Sequence, residues 1–501
     1  MAALLEHIII NYRWVFVLFL LPISCAYDIY HVVRNALVFA FHSAPTKHKQ
    51  KVEFVQKQVR DWKSQGKAKP MCTARPGWQT ISPQFMTYKK RMHQIKINLV
   101  DILEIDTQNR TVTCEPQVTM GQLSRTLEPL GWTIPILPEL DDLTVGGMVM
   151  GTGIETSSHK YGLFQHVCES YELVTSDGNV VNCSEAENSD LFHAVPWSYG
   201  TLGFLTATKI KIIPAKRFIK IEYTPVNSFQ EAVKIMKEEI GKDAKKGSPA
   251  EFIECLAFSP SACVVMKGDM VDSCEPKRLN SIGTWHKPWF FKHVESFLDQ
   301  GKTVEYIPLR EYYHRHSRSI FWEIQDIIPF GNNVAFRYLL GWLIPPKVSL
   351  LKLTQGETLK KLYEENHMIQ DMLVPIDETA GALEFFDESV AIYPIWLCPF
   401  RLPNKPGLLR SPTKGDQIFM DIGVYGVPKR PGFNCVKTTQ KLESYVLKRK
   451  GFQMLYADSY LNESDFEAMF DHTLYNEMRT KYKCDGAFPR IYQKVNKHAR
   501  A

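Results

Sequence analysis

The sequence predicts an α+β protein made of an apolar N-terminal anchor, a glycine-marked ligand-binding domain and a second α+β domain. Three observations carry this reading. A block dense in glycine, TVGGMVMGTGIETSSHKYG, runs from Thr144 to Gly162. Short strand-like and helix-like segments surround it up to about residue 216. Beyond that point the chain turns rich in Trp, Phe and Tyr. With 501 residues the chain exceeds one ordinary core and suits two domains. Hydrophobic residues at 45% and charged residues at 23% mark it as globular rather than disordered.

The first element is the apolar run Trp14 to Ala26, WVFVLFLLPISCA, which continues through Tyr27 and Tyr30. Its uncharged core is short for a spanning helix and has the length of a signal-peptide core. The positive charge follows the segment, however, and a second apolar stretch, Ala36 to Phe41, comes next. With Trp14, Tyr27 and Tyr30 as interfacial aromatics, a retained single-pass anchor over residues 14 to 34 is expected. Residues 47 to 69 hold eight Lys/Arg and two acids, an excess equal to the whole chain's net charge of +6. That location fits a juxtamembrane segment on the cytoplasmic side, facing anionic lipid, better than it fits nucleic-acid binding. The 11 cysteines are odd in number, scattered, and without a Cys-x-x-Cys. A disulfide framework or zinc ribbon is therefore excluded as an expectation, and a reducing compartment is favoured. The Asn109, Asn182 and Asn462 sequons would matter only in a secretory lumen.

Within residues 41 to 216 the elements follow in order. Val52, Val55, Val59 and Trp62 share one helical face. A short strand at Met71 leads into an Arg75-Pro76-Gly77 turn. Residues 97 to 106 and 112 to 118 read as strands about an Asp106 to Asn109 turn. Met120, Leu123, Leu127 and Leu130 mark a helix closed by Gly131. Strands around Leu173 and Val180 flank the Asp177-Gly178 hairpin. The strand from Ala207 to Ile213 ends the domain. In residues 217 to 501, the second domain, Val334 to Pro346 is apolar and aromatic enough to be either a buried core helix or a bilayer-facing one.

The glycine block carries the first functional signal. Gly146, Gly147, Gly151 and Gly153 let backbone approach a ligand closely and let successive amides point one way, which suits a phosphate. It is no Rossmann fingerprint, because the third glycine is missing, and no Walker loop, because no Gly-Lys-Ser/Thr follows. Paired tight turns are the plain alternative.

Three segments in order resemble the FAD-binding domain of the vanillyl-alcohol-oxidase (PCMH-type) flavoproteins. They are Arg75-Pro76-Gly77, the block from Thr144 to Gly162, and Gly200 to Phe204 with Gly203. The resemblance implies FAD contacts from Arg75, Pro76, Gly77, Gly200 and Gly203. From the block it implies Thr144, Val145, Gly146, Gly147, Met148, Val149, Met150, Gly151, Thr152 and Gly153. It also implies Ile154, Glu155, Thr156, Ser157, His159, Lys160, Tyr161 and Gly162. His159 and Lys160, which follow the glycines, are expected to neutralise the diphosphate or contact flavin edges, with a solvated turn as the competing reading. Relatives with covalent flavin carry a His or Cys just after the first loop. None follows Gly77 closely, so non-covalent FAD and no metal are expected.

Further stretches, among them KPWFFKHVE, EYIPLREYYHRHSRSIFWEIQDIIPFGNN and GFQMLYAD, are similar to the Diminuto-type sterol reductases over nearly the whole chain. That similarity implies FAD-dependent, NADPH-driven reduction of a sterol delta-24 side-chain alkene, such as that of desmosterol. It also implies an endoplasmic reticulum or Golgi membrane location. No carbonyl polarises such an alkene, so a proton must reach the less substituted carbon before or with hydride delivery. The C-terminal segment of this fold returns to the flavin, which implies Tyr456 as the acid with Asp458 as its orienter. Tyr425, on the earlier strand-like stretch that also holds Asp421, is the reserve. The cluster Tyr312 to Arg318 is expected either to bind NADPH phosphates or to form a basic surface near the membrane. A sugar-lactone or alcohol oxidase of the same fold, or a non-enzymatic sterol-binding membrane protein, are the competing readings.

Overall fold

Apolar side chains at helical spacing build the first two helices. The computed structural model describes residues 13–40, 45–66, 68–84, 86–242, 248–344, 348–353 and 357–500. The expected anchor forms α1 (Arg13–Ala40), which continues through Pro22. Its stretch Val17–Arg34 is long and apolar enough to cross a membrane, with mean hydropathy 1.3. The helix is two-sided. Val17, Leu21 and Ser24 are buried against the body, while Phe19, Ile29 and Tyr30 stand 73%, 59% and 63% exposed. Arg34 reaches Asp101 at 3.1 Å. Residues 1 to 12 of the anchor region, with Phe41, Lys67 and Pro346 of the expectations above, lie outside the described residues.

Helix α2 (His48–Ser64) buries Val52, Val55, Val59 and Trp62, the face the sequence spacing predicts. Part of its charge is taken up within the protein. Lys51 pairs with Asp101 at 2.7 Å and Glu115 at 2.8 Å, and His48 lies 2.8 Å from Glu115 and 3.2 Å from Glu172. Burial alone would lower the His48 pKa, but the two carboxylates overcome it and hold it at about 9.

Two short strands, β1 (Met71–Thr73) and β2 (His93–Ile95), pair in parallel. Next come β3 (Ile102–Asp106), β4 (Thr111–Cys114), helix α3 (Met120–Leu127) and helix α4 (Val145–Met150). β5 (Cys168–Val174), β6 (Val180–Ser184) and β7 (Phe204–Lys211) complete an antiparallel sheet in the order β3-β4-β7-β5-β6. The Asp177-Gly178 turn joins β5 to β6 with Gly178 at φ +83°, a conformation that glycine adopts at no steric cost.

The second sheet is larger. It is built from β8 (Phe218–Val226), β9 (Phe252–Ser259), β10 (Ala262–Val271), β11 (Thr303–Pro308), β12 (Met368–Pro375), β13 (Ile395–Leu402), β14 (Gln417–Gly426) and β15 (Phe452–Gln453). Its antiparallel order is β11-β8-β10-β9-β13-β14-β12-β15. Helices α5 (Phe229–Ile240), α6 (Val334–Leu340), α7 (Thr379–Ser389) and α8 (Cys435–Lys448) accompany it.

Strand alternation decides which residues meet the glycine-marked domain. On β14, Met420, Ile422 and Val424 pack beneath α5, α7 and α8. Phe419 and Tyr425 point the other way, into a core shared with the first domain, and the alternation sets Asp421 and Gly423 on that same face. Of the two readings of the 334 to 346 stretch, the structure favours the exposed one. On α6 and the turn after it, Val334, Tyr338, Leu339 and Trp342 stand 60%, 61%, 72% and 57% exposed. The stretch adjoins α1, whose Trp14 ring meets Phe330 edge-on at 5.2 Å.

Candidate functional site

The three segments that resemble a flavin cradle converge. Thr144 caps α4, its hydroxyl accepting from the Gly147 amide at 3.3 Å. Arg75 Nη1 lies 3.4 Å from the Thr144 hydroxyl, and Arg75 Nη2 donates to the Gln79 carbonyl at 3.0 Å. The third segment is strapped to α4 by its backbone. The Trp197 amide donates to Val149 O at 3.2 Å and the Tyr199 amide to Met150 O at 2.8 Å. Trp197, Tyr199 and Gly200 all take left-handed φ, at +64°, +53° and +67°. Non-glycine residues held there mark a turn that its surroundings impose, which is common at ligand sites.

Close backbone packing, positive charge and one unpartnered hydroxyl meet here, a combination that fits a dinucleotide phosphate. A Cβ on Gly151 would meet Gly147 O at 2.8 Å, and the Tyr199 hydroxyl would lie 3.5 Å from it. That hydroxyl is buried without a hydrogen-bond partner among the described residues. Two lysines outside the sequence reading add charge at the first loop. Lys89 Nζ donates to the carbonyls of Arg75 at 2.6 Å and Thr73 at 3.1 Å, and Lys494 donates to Tyr199 O. Burial lowers both to about 8. Nothing in their local sequence separates them from surface lysines; only the fold turns them inward.

Inside the block the residues divide. Val145 and Val149 are fully buried, and Met148 nearly so, so these side chains anchor α4 in the core. Gly146 lies against Pro116, Gly153 against Phe164, and Gly203 against Val174 O, each a close approach that a side chain would obstruct. Gly162 takes φ +83°. Thr152 contacts Met454 at 2.7 Å, Ile154 is buried, and Tyr161 packs partly buried on the core. Ser157 donates to Pro135 O at 2.8 Å.

The side chains of His159 and Lys160 are engaged within the protein. The His159 ring nitrogens lie 3.0 Å from Thr156 O and 2.8 Å from Ala250 O, and burial lowers its pKa. Lys160 is exposed, 4.0 Å from Glu251. With the Ile253 amide donating to Thr156 O at 2.9 Å, the end of the block is tied to β9 of the second sheet.

The cluster Tyr312 to Arg318 is neither an open phosphate site nor a basic surface. Arg315 is fully buried, with Nε 2.8 Å from Glu254 Oε1, Nη2 2.9 Å from Glu254 Oε2 and Nη2 3.1 Å from Glu155 Oε1. Its guanidinium lies over the Tyr312 ring at 4.5 Å. Burial would raise the Glu254 pKa, but Arg315 and His316 outweigh it and hold it at about 2. Burial pushes Glu155 up in spite of Arg315, and pushes Glu139 well up with help from Glu155. Arg318 is held by the carbonyls of Ile282, Trp285 and Lys287.

The candidate acid lies beside the sheet face that packs on the first domain. Tyr456 follows β15 and is partly buried. The Tyr456–Asp458 pairing expected from the sequence is not formed. Asp458 faces the C-terminus, where Lys497 Nζ lies 2.9 Å away and Arg500 contacts it directly, and these cations depress its pKa against the opposing effect of burial. The carboxyl whose field Tyr456 feels is Asp371 of β12, which accepts a hydrogen bond from the hydroxyl of Tyr425 on β14. Burial raises Asp371 to about 6. A Cβ on Gly423 would meet the Tyr425 hydroxyl at 2.4 Å and Asp371 at 2.9 Å, so glycine leaves the room in which the pair meets. Asp371 escaped the sequence reading, although one signal was available: a lone acid in the apolar strand Met368–Pro375. Asp421 lies on the same face, fully buried, and neither of its oxygens has a hydrogen-bond partner among the described residues. Burial, then Asp371 and Glu139, pushes its pKa well up, so it holds its proton. The face can therefore hold protons in an apolar setting, which is what protonating an unactivated alkene requires.

A family described as an FAD binding domain matches residues 72–184. The chain is 54% identical over 498 residues to the Delta(24)-sterol reductase of Homo sapiens, covering 99% of this chain and 96% of the relative. It is 44% identical over 510 residues to the Delta(24)-sterol reductase homolog of Caenorhabditis elegans, again 99% and 96%. Against the L-gulonolactone oxidase of Mus musculus it is 27% identical over 418 residues, 80% of this chain and 84% of the relative.

Proposed function

The chain belongs to the Delta(24)-sterol reductase family, and on that premise we propose how its residues carry the reaction. It is an FAD-dependent oxidoreductase that reduces the sterol side-chain double bond at the expense of NADPH. FAD, when bound, supplies the hydride, and NADPH restores it. We assign Arg75 to Gly77, the Thr144 to Gly162 backbone and Gly200 to Gly203 to the cradle that holds it, within an FAD-binding domain over residues 41 to 216. Residues 217 to 501 form the substrate domain.

Tyr456 is the proton donor, and Asp371 replaces Asp458 as its partner. The single observation that supports this is the Tyr425–Asp371 hydrogen bond, with Tyr456 packed partly buried on the same shared core. The Tyr456 hydroxyl gives its proton to the less substituted alkene carbon, whose π electrons form the new C–H bond. The tertiary carbon is left electron-poor and accepts the hydride. Asp371 in its acid form passes a proton to the Tyr456 oxygen and regains one from solvent, so each turnover consumes one proton and one NADPH. Burial also raises Tyr456 itself, which keeps it neutral and able to donate.

The membrane reading follows from α1 and the neighbouring exposed Tyr338, Leu339 and Trp342. We place the catalytic domains on the cytoplasmic side of the endoplasmic reticulum membrane, with Golgi as a second location, because the remaining exposed cations follow α1. A lactone or alcohol oxidase is not favoured, since identity to L-gulonolactone oxidase is half that to the human sterol reductase.

The test is Tyr456→Phe in the FAD-loaded protein. NADPH should still bleach the flavin at the wild-type rate, while reoxidation by desmosterol slows by about 10²–10⁴, the usual worth of a general acid. In deuterated water the wild type should place deuterium on the less substituted carbon. Wild-type reoxidation by Tyr456→Phe would transfer the role to Tyr425 or Asp421. Asp371 keeps its proton below about pH 6 and loses it above. Reoxidation should therefore slow as pH rises through that value, and Asp371→Asn should remove the slope.

A further inference from the structure

Two consecutive residues without glycine's freedom, Ile320 and Phe321, have φ of +47° and +59°. Left-handed backbone is uncommon outside glycine and rarer still for a β-branched residue such as isoleucine. Such strain persists only where the surroundings impose it, and it gathers at functional sites. The turn is closed by the Ile320 amide on Ser317 O at 3.3 Å, the Phe321 amide on His316 O at 3.0 Å, and the Ile324 amide on Ser319 O at 3.1 Å.

What the turn achieves is the position of one ring. Phe321 stacks on His316 with centroids 4.5 Å apart and planes at 10°. It meets Trp396 at 5.5 Å and Tyr425 at 5.1 Å. Those neighbours are buried and fixed. The Trp396 indole donates to Glu254 Oε2 at 2.9 Å, and the Trp322 indole, 5.8 Å from Phe321, donates to Tyr425 O at 2.7 Å. Burial lowers His316 to about 4, so a neutral ring backs Phe321. The nearby cation, Arg315, is already matched by Glu254 and Glu155. Of this aromatic group Phe321 alone is partly exposed. The group also shares Tyr425 with the proton-donating cluster, because the Tyr425 hydroxyl bonds to Asp371.

We propose that Phe321 is a catalytic residue whose ring face stabilises positive charge on the tertiary side-chain carbon of the sterol while the proton arrives. The inference rests on the sterol-reductase reading and gives that reading a second chemical group. Protonation of the alkene creates a cation with no adjacent heteroatom to share it. An aromatic face within about 6 Å attracts such a charge, most strongly when water is excluded. A carboxylate in that place would trap the cation as an ester, and a plain aliphatic side chain would leave it unstabilised. An aromatic wall beside a proton-holding cluster avoids both.

The test uses full-length protein loaded with FAD. Phe321→Leu keeps the apolar bulk and removes the π face. A second series replaces Phe321 with phenylalanines carrying one to three ring fluorines, which keep the shape and drain the face of negative charge. Two probes are bound: a saturated sterol whose tertiary side-chain carbon is replaced by a protonated amine, and its neutral saturated counterpart. Phe321→Leu should lose about 10-fold or more for the charged sterol and change less than about 2-fold for the neutral one. Reoxidation by desmosterol should slow about 10- to 100-fold and fall stepwise with fluorine number, while flavin reduction by NADPH stays unchanged. Equal loss for both sterols would make Phe321 a packing residue and overturn the proposal. So would a fluorine series with no slope. Failure of the wild type to turn over desmosterol would instead count against the sterol-reductase reading itself, so the two failures are distinct.

Discussion

Replacing Arg315 with methionine should destabilise this protein without touching NADPH affinity. The Arg315 side chain is fully buried and matched by two fully buried carboxylates, Glu254 at 2.8 Å and Glu155 at 3.1 Å. Methionine fills much of the volume but leaves both acids without their counter-ion. Breaking a buried pair from one side costs about 3–5 kcal/mol. For a domain of this size that is a fall in melting temperature of roughly 6–20 °C. Adding Glu254→Leu removes the stranded charge, and the double variant should regain at least half of the loss. The pH dependence has a definite sign. Glu254 is held at about 2, below its unfolded value, so its contribution is present at neutral pH and fades as pH falls toward 2. In Arg315→Met that acid-side loss should shrink. The assays are thermal melting at several pH values and the Michaelis constant for NADPH. A variant that melts like wild type but needs far more NADPH would refute this reasoning and return the 312 to 318 cluster to a phosphate-binding role.

Gly147→Asp should abolish flavin binding, whereas Gly147→Ala should retain most of it, because a Cβ there meets only the Thr144 hydroxyl at 3.1 Å; absorbance of the purified proteins decides. Acid precipitation of the wild type should release the flavin into the supernatant, and yellow pellets would mean a covalent link. His48, held at about 9 by Glu115 and Glu172, lends stability that is fully present below its unfolded value of about 6.5 and is lost as pH rises through 9. His48→Gln should therefore lower the melting temperature at pH 7 by more than at pH 9.5. Removing residues 1 to 40 should weaken membrane attachment, and adding Leu339→Glu and Trp342→Glu should release the remainder, read by flotation on vesicles.

The helix at 48 to 64 and the 177-178 hairpin could be read from the sequence because their determinants are local. Val52, Val55, Val59 and Trp62 repeat at helical spacing, and Asp177-Gly178 carries its own turn chemistry. The cradle was legible for a related reason: close backbone approach demands glycine, and glycine is conspicuous in sequence. The Asp371 cluster proposed as the proton source was only half legible. Tyr425 and Tyr456 come from neighbouring parts of the second sheet, but their shared partner, Asp371, arrives on β12 through strand order that no local pattern encodes. Asp458, two residues from Tyr456, lies near it in sequence yet pairs with Lys497 and Arg500 instead. The 312 to 318 run misled for the opposite reason. Its basic residues resemble a phosphate site until acids from distant segments, Glu155 and Glu254, are seen to enclose Arg315 and backbone carbonyls to hold Arg318.

The tie between Thr156 and the second sheet reaches beyond the local contact. Backbone of the glycine block hydrogen-bonds to Ile253 at the edge of β9, and His159 reaches Ala250 beside it. Whatever orders the block orders that strand end, and β9 carries Glu254, whose far side holds Trp396. On the reading proposed above, cofactor occupancy and the firmness of the aromatic group around Trp396 should therefore rise and fall together. Amides of β9 should then exchange with solvent at a rate set by flavin, even though no flavin atom need lie near them.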